Sequence, residues 1–183
     1  MIIYIRHGDD KVIDKDYPHD AFLTEKGAKL AKKTAKQLLK QYGVPSVIYY
    51  SPMTRARETC QVFLKVIQKY QEKKQKKSIK IRTIISPSLS RYFTPSEQDN
   101  PKITAETAKY NPPIRETIPD LINRMVNFHK DKLNKHSGEL AWSISHGLAL
   151  KKLIDQIGYY APESVDFLET FVCISREEST VFK

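Results

Sequence analysis

Short apolar runs alternate with longer amphipathic segments along most of this 183-residue chain, and this alternation constrains the fold more than any other feature. Each run has the length and composition of a buried strand. The runs lie at residues 1–5, 46–50, 79–85, 139–145 and 170–175. Strands that alternate with helices predict an α/β domain. We therefore expect one three-layer α/β/α domain over residues 1–183, with a mostly parallel central sheet and helices on both faces.

Four segments have the apolar spacing of amphipathic helices. The first follows Thr24, a residue type that caps helix N-termini, and stops at Gly43. Pro52 is expected in the first turn of the second helix, where proline is well tolerated. The predicted helices cover residues 24–41, 52–70, 118–133 and 147–158, the last closed by Gly158.

The stretch from residue 86 to residue 117 departs from this pattern, because it contains five prolines and little periodicity. Long loops in a compact domain are uncommon and often form lids or binding walls. We expect a proline-rich insertion that runs over the surface and acts as a lid over the active site.

Basic residues outnumber acidic ones by 31 to 21, which gives a net charge of +10. Such a balance favours acidic or phosphorylated partners. The most basic stretch, residues 65–82, contains a single acid, Glu72. This run of basic residues has two possible roles: it can be the solvated end of a helix, or it can steer an anionic substrate electrostatically. Nucleic acid is not expected as a partner, because aromatic residues do not interleave with the lysines.

No apolar run is long enough to span a membrane, and the N-terminus lacks the pattern of a signal peptide. These features predict a cytoplasmic protein. The two cysteines, Cys60 and Cys173, lie in apolar patterns and are expected as core residues rather than as a disulfide.

Basic and imidazole side chains follow three of the predicted strands. Arg6 and His7 follow the first, Arg55 follows the second, and His146 follows the strand at 139–145. In open α/β sheets, ligands bind outside the carboxyl ends of the strands. We expect these residues to form a cavity for a dianion, with Gly147 letting the backbone approach a phosphate. Each motif taken singly also has a structural interpretation, such as a surface pair between Arg55 and Glu58.

The same segments resemble the signatures of the histidine phosphatase superfamily, or phosphoglycerate mutase-like family, in its phosphatase branch. The matching stretches are "IYIRHG", "FLTEKGAKLAKKTAKQL", "YYSPMTRARETC" and "SISHG". The resemblance implies that His7 is a nucleophile that forms a phosphohistidine. It also implies that Arg6, Arg55 and His146 bind and polarise the phosphoryl group, with no metal and no cofactor.

The chain departs from the family where many members carry a glutamate general acid. Leu89 matches the preceding leucine, but Arg91 stands where that glutamate is expected. Glu97 is our preferred proton donor, and Asp9, Asp10, Asp99 and Glu106 are the alternatives. Arg91, together with Arg115, would instead favour polyanionic or phosphopeptide substrates.

The sequence therefore predicts a phosphomonoesterase that acts through His7. Its substrate is expected to be an anionic phosphorylated molecule, such as a phosphoprotein, a nucleotide or a sugar phosphate. Two alternatives remain: an inactive phosphate-binding or adaptor module of the same fold, and a phosphoglycerate-type mutase.

Overall fold

A computed structural model describes residues 1–11, 21–74, 79–94, 98–99, 116–157, 164–176 and 179–181. The strands are β1 (Ile2–Arg6), β2 (Asp10–Lys11), β3 (Phe22–Leu23), β4 (Val47–Tyr50), β5 (Arg82–Ile85), β6 (Ala141–Ser145), β7 (Thr170–Arg176) and β8 (Ser179–Val181). The helices are α1 (Glu25–Tyr42), α2 (Thr54–Lys73), α3 (Ile118–Lys135) and α4 (Gly147–Gln156), with a 3₁₀ turn at Pro87–Leu89.

The main sheet has the strand order β5-β4-β6-β1-β7-β8. Strands β5, β4, β6 and β1 pair in parallel, whereas β7 is antiparallel to β1 and β8 is antiparallel to β7. Strands β2 and β3 form a separate two-stranded ribbon beside the end of β1. The expected α/β fold with a mostly parallel central sheet is confirmed.

Side chains along the central strands alternate between two buried clusters, as the pleat of a strand requires. On one face, Ile3 and Ile5 of β1 pack with the apolar sides of α1 and α2. On the other face, Ile2 and Tyr4 pack with α3 and α4. The sheet therefore lies between two helical layers. Both thiols are free and buried, in agreement with the core positions expected for Cys60 and Cys173.

The helix predictions hold with small shifts at the ends. The Thr24 hydroxyl caps α1 by accepting a hydrogen bond from the N–H of Gly27. Thr117 caps α3 in a reciprocal capping box with Asp120. Pro52 lies before α2 rather than in its first turn, because Met53 is the N-cap residue.

The prediction of a surface insertion from residue 86 is wrong for its first part. Residues 86–94 form the 3₁₀ turn and then pack inward, with Leu89 and Phe93 fully buried. The sequence conceals this because prolines and serines surround the two apolar side chains. Residues 95–97 and 100–115, the rest of the expected lid, lie outside the described residues, as does Gly158.

Candidate active site

Three parallel strands end side by side at one edge of the sheet, and the polar residues singled out above lie at their ends. The N–H of His7 donates to the carbonyl of Ser145 at 3.0 Å, and the N–H of Ser51 donates to the carbonyl of Ile144 at 3.0 Å. These bonds continue the parallel pairing one residue beyond each strand. They bring His7, Ser51 and His146 together at the carboxyl edge.

His7 is buried, and hydrogen bonds fix the state of its ring. Its Nδ1 lies 2.9 Å from the carbonyl oxygen of Gly8, which only accepts, so Nδ1 carries the proton. The Nε of Arg55, which only donates, lies 3.2 Å from Nε2 of His7. His7 is therefore a neutral imidazole whose Nε2 lone pair points toward the cationic cluster.

His146 lies beside His7, with the two ring centroids 4.9 Å apart. Its Nδ1 faces Nη2 of Arg55 at 3.5 Å, and its Nε2 lies 2.8 Å from the hydroxyl oxygen of Ser51. Because a guanidinium only donates, Nδ1 accepts and Nε2 carries the proton. One buried arginine thus contacts both histidines.

Arg55 lies in the first turn of α2, and Thr59, one turn further along the helix, contacts its main chain. The Thr59 hydroxyl donates to the carbonyl of Arg55 at 2.7 Å and accepts from the N–H of Gly8 at 3.1 Å. A single side chain therefore ties the loop after β1 to the start of α2. Glu58, the surface partner considered for Arg55, accepts instead from the N–H of Leu23.

Gly27 sets the distance between α1 and the loop that carries His7. A Cβ atom at this position would lie 2.1 Å from the carbonyl oxygen of Asp9, a contact no side chain tolerates. Thr24 also donates to the Asp9 carboxylate at 2.7 Å. The "LTEKG" segment is therefore part of the scaffold of the site, because it allows helix and loop to touch.

Arg6, the last residue of β1, lies at the same edge of the sheet. Its guanidinium stacks on the Phe167 ring, with Cζ 4.0 Å from the ring centroid, and Nη1 donates to the carbonyl of Val165. Its Nε is buried and has no hydrogen-bond partner within the described residues. A Cβ atom added to Gly147 would lie 3.4 Å from three atoms of this guanidinium. Gly147 and Arg6 are therefore in close contact.

Helix α4 begins at this point and points its N-terminus at the cluster. His146 is its N-cap residue, and its side chain makes no capping bond to the helix. The first main-chain N–H groups are thus not capped by this side chain, and they begin at Gly147, beside the Arg6 guanidinium. Free N–H groups and a positive dipole end favour an anion there.

The setting keeps both histidines uncharged. Burial lowers the pKa of His7 to about 3, with a further contribution from the neighbouring Arg55 charge. Burial also lowers the pKa of His146 well below its usual value, and Arg55 adds to this effect. An imidazole in such surroundings is available as a nucleophile or hydrogen-bond partner at neutral pH.

Asp10 is the described carboxylate closest to these groups. Its Oδ1 lies 4.0 Å from Nδ1 of His7, and its Oδ2 lies 3.7 Å from Nε of Arg55. Burial raises the pKa of Asp10, although Arg55 and Arg6 act in the opposite direction. Asp10 therefore lies near the protonated Nδ1 of His7 and beside the Nε of Arg55 that donates to Nε2.

Arg91 lies beyond the 3₁₀ turn, with its Cζ 4.4 Å from the centroid of the Phe93 ring. Its charge contributes to the lowered pKa of His146, after burial, Arg55 and His7. Glu97 and Glu106, two of the candidate acids, lie outside the described residues, as does Arg115.

A buried ion pair holds the segment that carries Arg91. Arg124 of α3 contacts Glu116 through Nη2 and Oε1 at 2.5 Å, and Nη1 donates to the carbonyl of Ser88 at 2.6 Å. The Ser145 hydroxyl adds a bond to the carbonyl of Leu89 at 2.8 Å. The segment is thereby fixed against both α3 and the end of β6.

Sequence reasoning missed several residues that the structure places at or behind the site. Ser51 and Thr59 lie within the matching stretch "YYSPMTRARETC", but the sequence gives them no role. A hydroxyl group can form hydrogen bonds, but the sequence does not show with which partners. Phe167 has no signal at all in the sequence, because it reaches the site from the loop before β7. Glu116 and Arg124 are separated by seven residues and meet only once α3 has formed.

Within the described part of the chain, no three histidine, cysteine or acidic side chains are grouped as a metal site. In the same ranges, no helix combines the length and apolar character needed to cross a membrane.

The chain belongs to the histidine phosphatase superfamily (branch 1), whose family model matches residues 2–173. Among curated protein sequences, no match is found. The resemblance inferred from the four short segments is therefore confirmed by a match over almost the whole chain.

Solved structures with the same fold include several phosphatases. A phosphoserine phosphatase variant from Entamoeba histolytica, bound to phosphoserine, has a TM-score of 0.64 at 18% identity, covering 99% of this chain and 93% of that one. A mycobacterial glucosyl-3-phosphoglycerate phosphatase has a TM-score of 0.66 at 15% identity, covering 100% and 95%. The protein histidine phosphatase SixA, bound to tungstate, has a TM-score of 0.63 at 15% identity, covering 100% and 93%. At these identities the likeness establishes the shared fold.

Proposed function

We propose that this protein is a phosphomonoesterase that works through a phosphohistidine on His7. The observation that carries the proposal is the state of His7. It is a buried, neutral imidazole whose Nε2 lone pair faces the guanidinium of Arg55 and lies beside His146. Membership of the histidine phosphatase superfamily supports the same chemistry.

In the first step, Nε2 of His7 forms a bond to phosphorus as the bond from phosphorus to the ester oxygen breaks. The leaving oxygen takes up a proton and departs as an alcohol. In the second step, water attacks phosphorus, the bond from phosphorus to Nε2 breaks, and inorganic phosphate leaves. Splitting hydrolysis into two displacements lowers the barrier of each.

Two guanidinium cations and neutral hydrogen-bond donors supply the electrostatic part of this reaction. Arg6, Arg55 and His146 would contact the phosphoryl oxygens, together with the N–H groups at the start of α4, the first of which belongs to Gly147. These donors are held in place before the substrate arrives, which is the condition for stabilising charge in a transition state. Nδ1–H of His7 meets the Gly8 carbonyl, and the Asp10 carboxylate lies nearby, so positive charge on the ring is balanced.

Glu97 remains our proposal for the proton donor to the leaving group. Asp10 fits a different role, because it lies nearest to Nδ1 of His7, whereas the leaving group departs opposite to Nε2. Removing the donor should matter most for alkyl esters, since aryl leaving groups depart with little assistance. Glu97→Gln should slow alkyl phosphates by about 10²–10⁴-fold and aryl phosphates much less. Equal activity of wild type and Glu97→Gln on alkyl phosphates would reject Glu97 as the acid.

The proposed substrate is an anionic phosphorylated molecule, either a small metabolite or a phosphoprotein. Arg91 supports this, because its charge acts on His146 and adds to the two guanidinium cations of the site, Arg6 and Arg55. The phosphatases of the same fold act on ligands of this kind, including phosphoserine. We place the reaction in the cytoplasm, which suits two cysteines that are free and buried.

Steady-state turnover of an aryl phosphate by wild type and by His7→Ala tests the proposal. We expect turnover by wild type, also in the presence of EDTA, and none by the folded variant. Full activity of His7→Ala would contradict the role of His7. A wild type that binds phosphate without turnover would establish the alternative of a phosphate-binding module.

A further inference from the structure

A groove of about 640 Å³ runs between α1 and α2, on the side of these helices that faces away from the sheet. Its lining carries four lysines, two from each helix, and one carboxylate, Glu72 of α2, which accepts a hydrogen bond from Gln68 at 3.0 Å. We call this surface the lysine groove; its basic residues are Lys32, Lys36, Lys65 and Lys69. The sequence indicated only the part on α2, because the basic stretch at 65–82 is continuous whereas the α1 lysines are spread along the helix.

The charge of the lysine groove is unbalanced. Helix α1 contains six lysines and one acidic residue, Glu25, which pairs with Lys29 at 2.7 Å. Within the described residues, none of the four lysines of the groove has a carboxylate partner. Two lysines four residues apart on each helix repel one another, and a bound anion would relieve that repulsion.

The floor of the lysine groove is apolar but shallow. It is formed by Ala28, Val62 and Val66. Val62 and Val66 are partly buried and pack against the core cluster. A floor of small apolar side chains between basic walls matches a segment that combines acidic residues with small apolar ones.

Other polyanions fit this surface less well. Membrane binding requires large apolar side chains that project beyond the lysines, and the exposed ones in the described chain lie outside α1 and α2. Single-stranded nucleic acid requires aromatic faces on which bases stack. The lysine groove offers none, since its lining residues are aliphatic, polar or charged.

The lysine groove is linked to the candidate active site by the two helices that form it. Helix α2 starts at Thr54, next to Arg55, and helix α1 starts one residue after Thr24, which binds Asp9. At about 1.5 Å per residue, Lys65 lies roughly 15 Å along α2 from Arg55. A segment bound in the groove could thus belong to the same molecule as a phosphoryl group at His7.

We propose that the lysine groove binds an acidic, amphipathic segment of the phosphoprotein on which the enzyme acts. The binding part of the proposal rests on the groove alone. The identification of the partner as substrate rests on the proposed function.

The probe is a synthetic peptide of about 18 residues, five helical turns, with glutamates on one face and alanine and valine on the other. Its affinity is measured by fluorescence anisotropy for wild type and for Lys32→Glu/Lys65→Glu. The control Lys130→Glu/Lys135→Glu makes the same charge change at exposed lysines of α3, on the opposite side of the sheet. The groove variant should bind roughly tenfold more weakly, and the control should change less than about twofold.

Equal losses in both variants would overturn the proposal, because they would show a response to net charge alone. Tighter binding of a single-stranded oligonucleotide or of anionic vesicles, lost in the groove variant, would also overturn it. Lys32→Gln/Lys65→Gln, which adds no negative charge, should give a smaller loss in the same direction. Circular dichroism melting checks that every variant folds.

A second probe separates this proposal from the proposed function. The acidic peptide is joined by a flexible linker to phosphotyrosine, an aryl ester, and kcat/KM is compared with that of free phosphotyrosine. The groove variant should lose the advantage of the linked substrate and keep its activity on free phosphotyrosine. If neither compound is hydrolysed but the peptide still binds to the groove, the proposed function fails and the binding site stands.

Discussion

The carboxyl edge of the sheet and the lysine groove both concentrate positive charge, but in opposite physical settings. At the edge, Arg55 is 6% exposed and contacts two histidines through fixed nitrogens. In the groove, four lysines are exposed on flexible stems and have no carboxylate partner in the described chain. The two proposed roles follow this difference: chemistry for charge that is buried and held in place, and recognition for charge that is solvated and mobile.

The difference in burial also predicts how each region responds to substitution and to salt. A buried guanidinium with fixed partners cannot be replaced without loss of geometry, and salt screens it little. An exposed lysine contributes little alone, and salt weakens it strongly. Substitution, acidification and salt should therefore affect the two regions differently.

The largest effect is expected from Arg55→Met. This change removes the donor that contacts both His7 and His146, so kcat/KM on an aryl phosphate should fall by about 10²–10³-fold. Arg57→Met is the matched control, because Arg57 is exposed on the same helix and should change activity less than about twofold. Similar activities of the two variants would place the phosphate site elsewhere.

Acidification should have the next largest effect, and it should act on stability. Burial lowers the pKa of His7 to about 3 and that of His129 to about 4, and it lowers the pKa of His146 as well. The unfolded chain binds these protons near pH 6.5, whereas the folded protein does not. Stability is therefore complete above pH 6.5 and falls as the pH drops below it, by about 1.4 kcal/mol per pH unit for each such histidine.

Urea unfolding between pH 7 and pH 5 measures this slope. His7→Gln removes one of the three groups and should make the slope shallower by one proton. An unchanged slope would mean that His7 is already protonated in the folded state, which contradicts its role as a neutral nucleophile.

Salt should have the smallest effect on kcat/KM. It should distinguish binding at the lysine groove from catalysis at the carboxyl edge. Exposed charges are screened over about 8 Å at physiological ionic strength. Raising the salt should lower kcat/KM for the linked acidic substrate several-fold more than for free phosphotyrosine. Parallel salt dependences for the two substrates would show that the lysine groove is only a solvated surface.

The sequence predicted which strand ends form the site better than it predicted the contacts made there by loop residues. Alternating strands and helices brought Arg6, His7, Arg55 and His146 to one edge, because parallel strands share a carboxyl end. The inward packing of Leu89 was missed, since an isolated leucine among serines and prolines has no periodicity. The contact of Phe167 with Arg6 was also missed, because it depends on where a distant loop returns to the sheet.

The lysine groove illustrates the same limit. The α2 lysines were visible as a run, but the pairing with Lys32 and Lys36 depends on how α1 packs against α2. Helical spacing indicates that a side chain is exposed, not which exposed side chain of another helix lies opposite. Charge that converges in space must therefore be found in the structure.

The most direct test of the central claim is to trap the phosphorylated enzyme. Wild type is mixed with an excess of a labelled aryl phosphate, quenched within a turnover, and digested for mass spectrometry at alkaline pH. We predict acid-labile, base-stable phosphate on the peptide that contains His7, and none on that peptide in His7→Ala. Label on a serine or cysteine, or rapid turnover by wild type with no phosphohistidine at His7, would contradict the account.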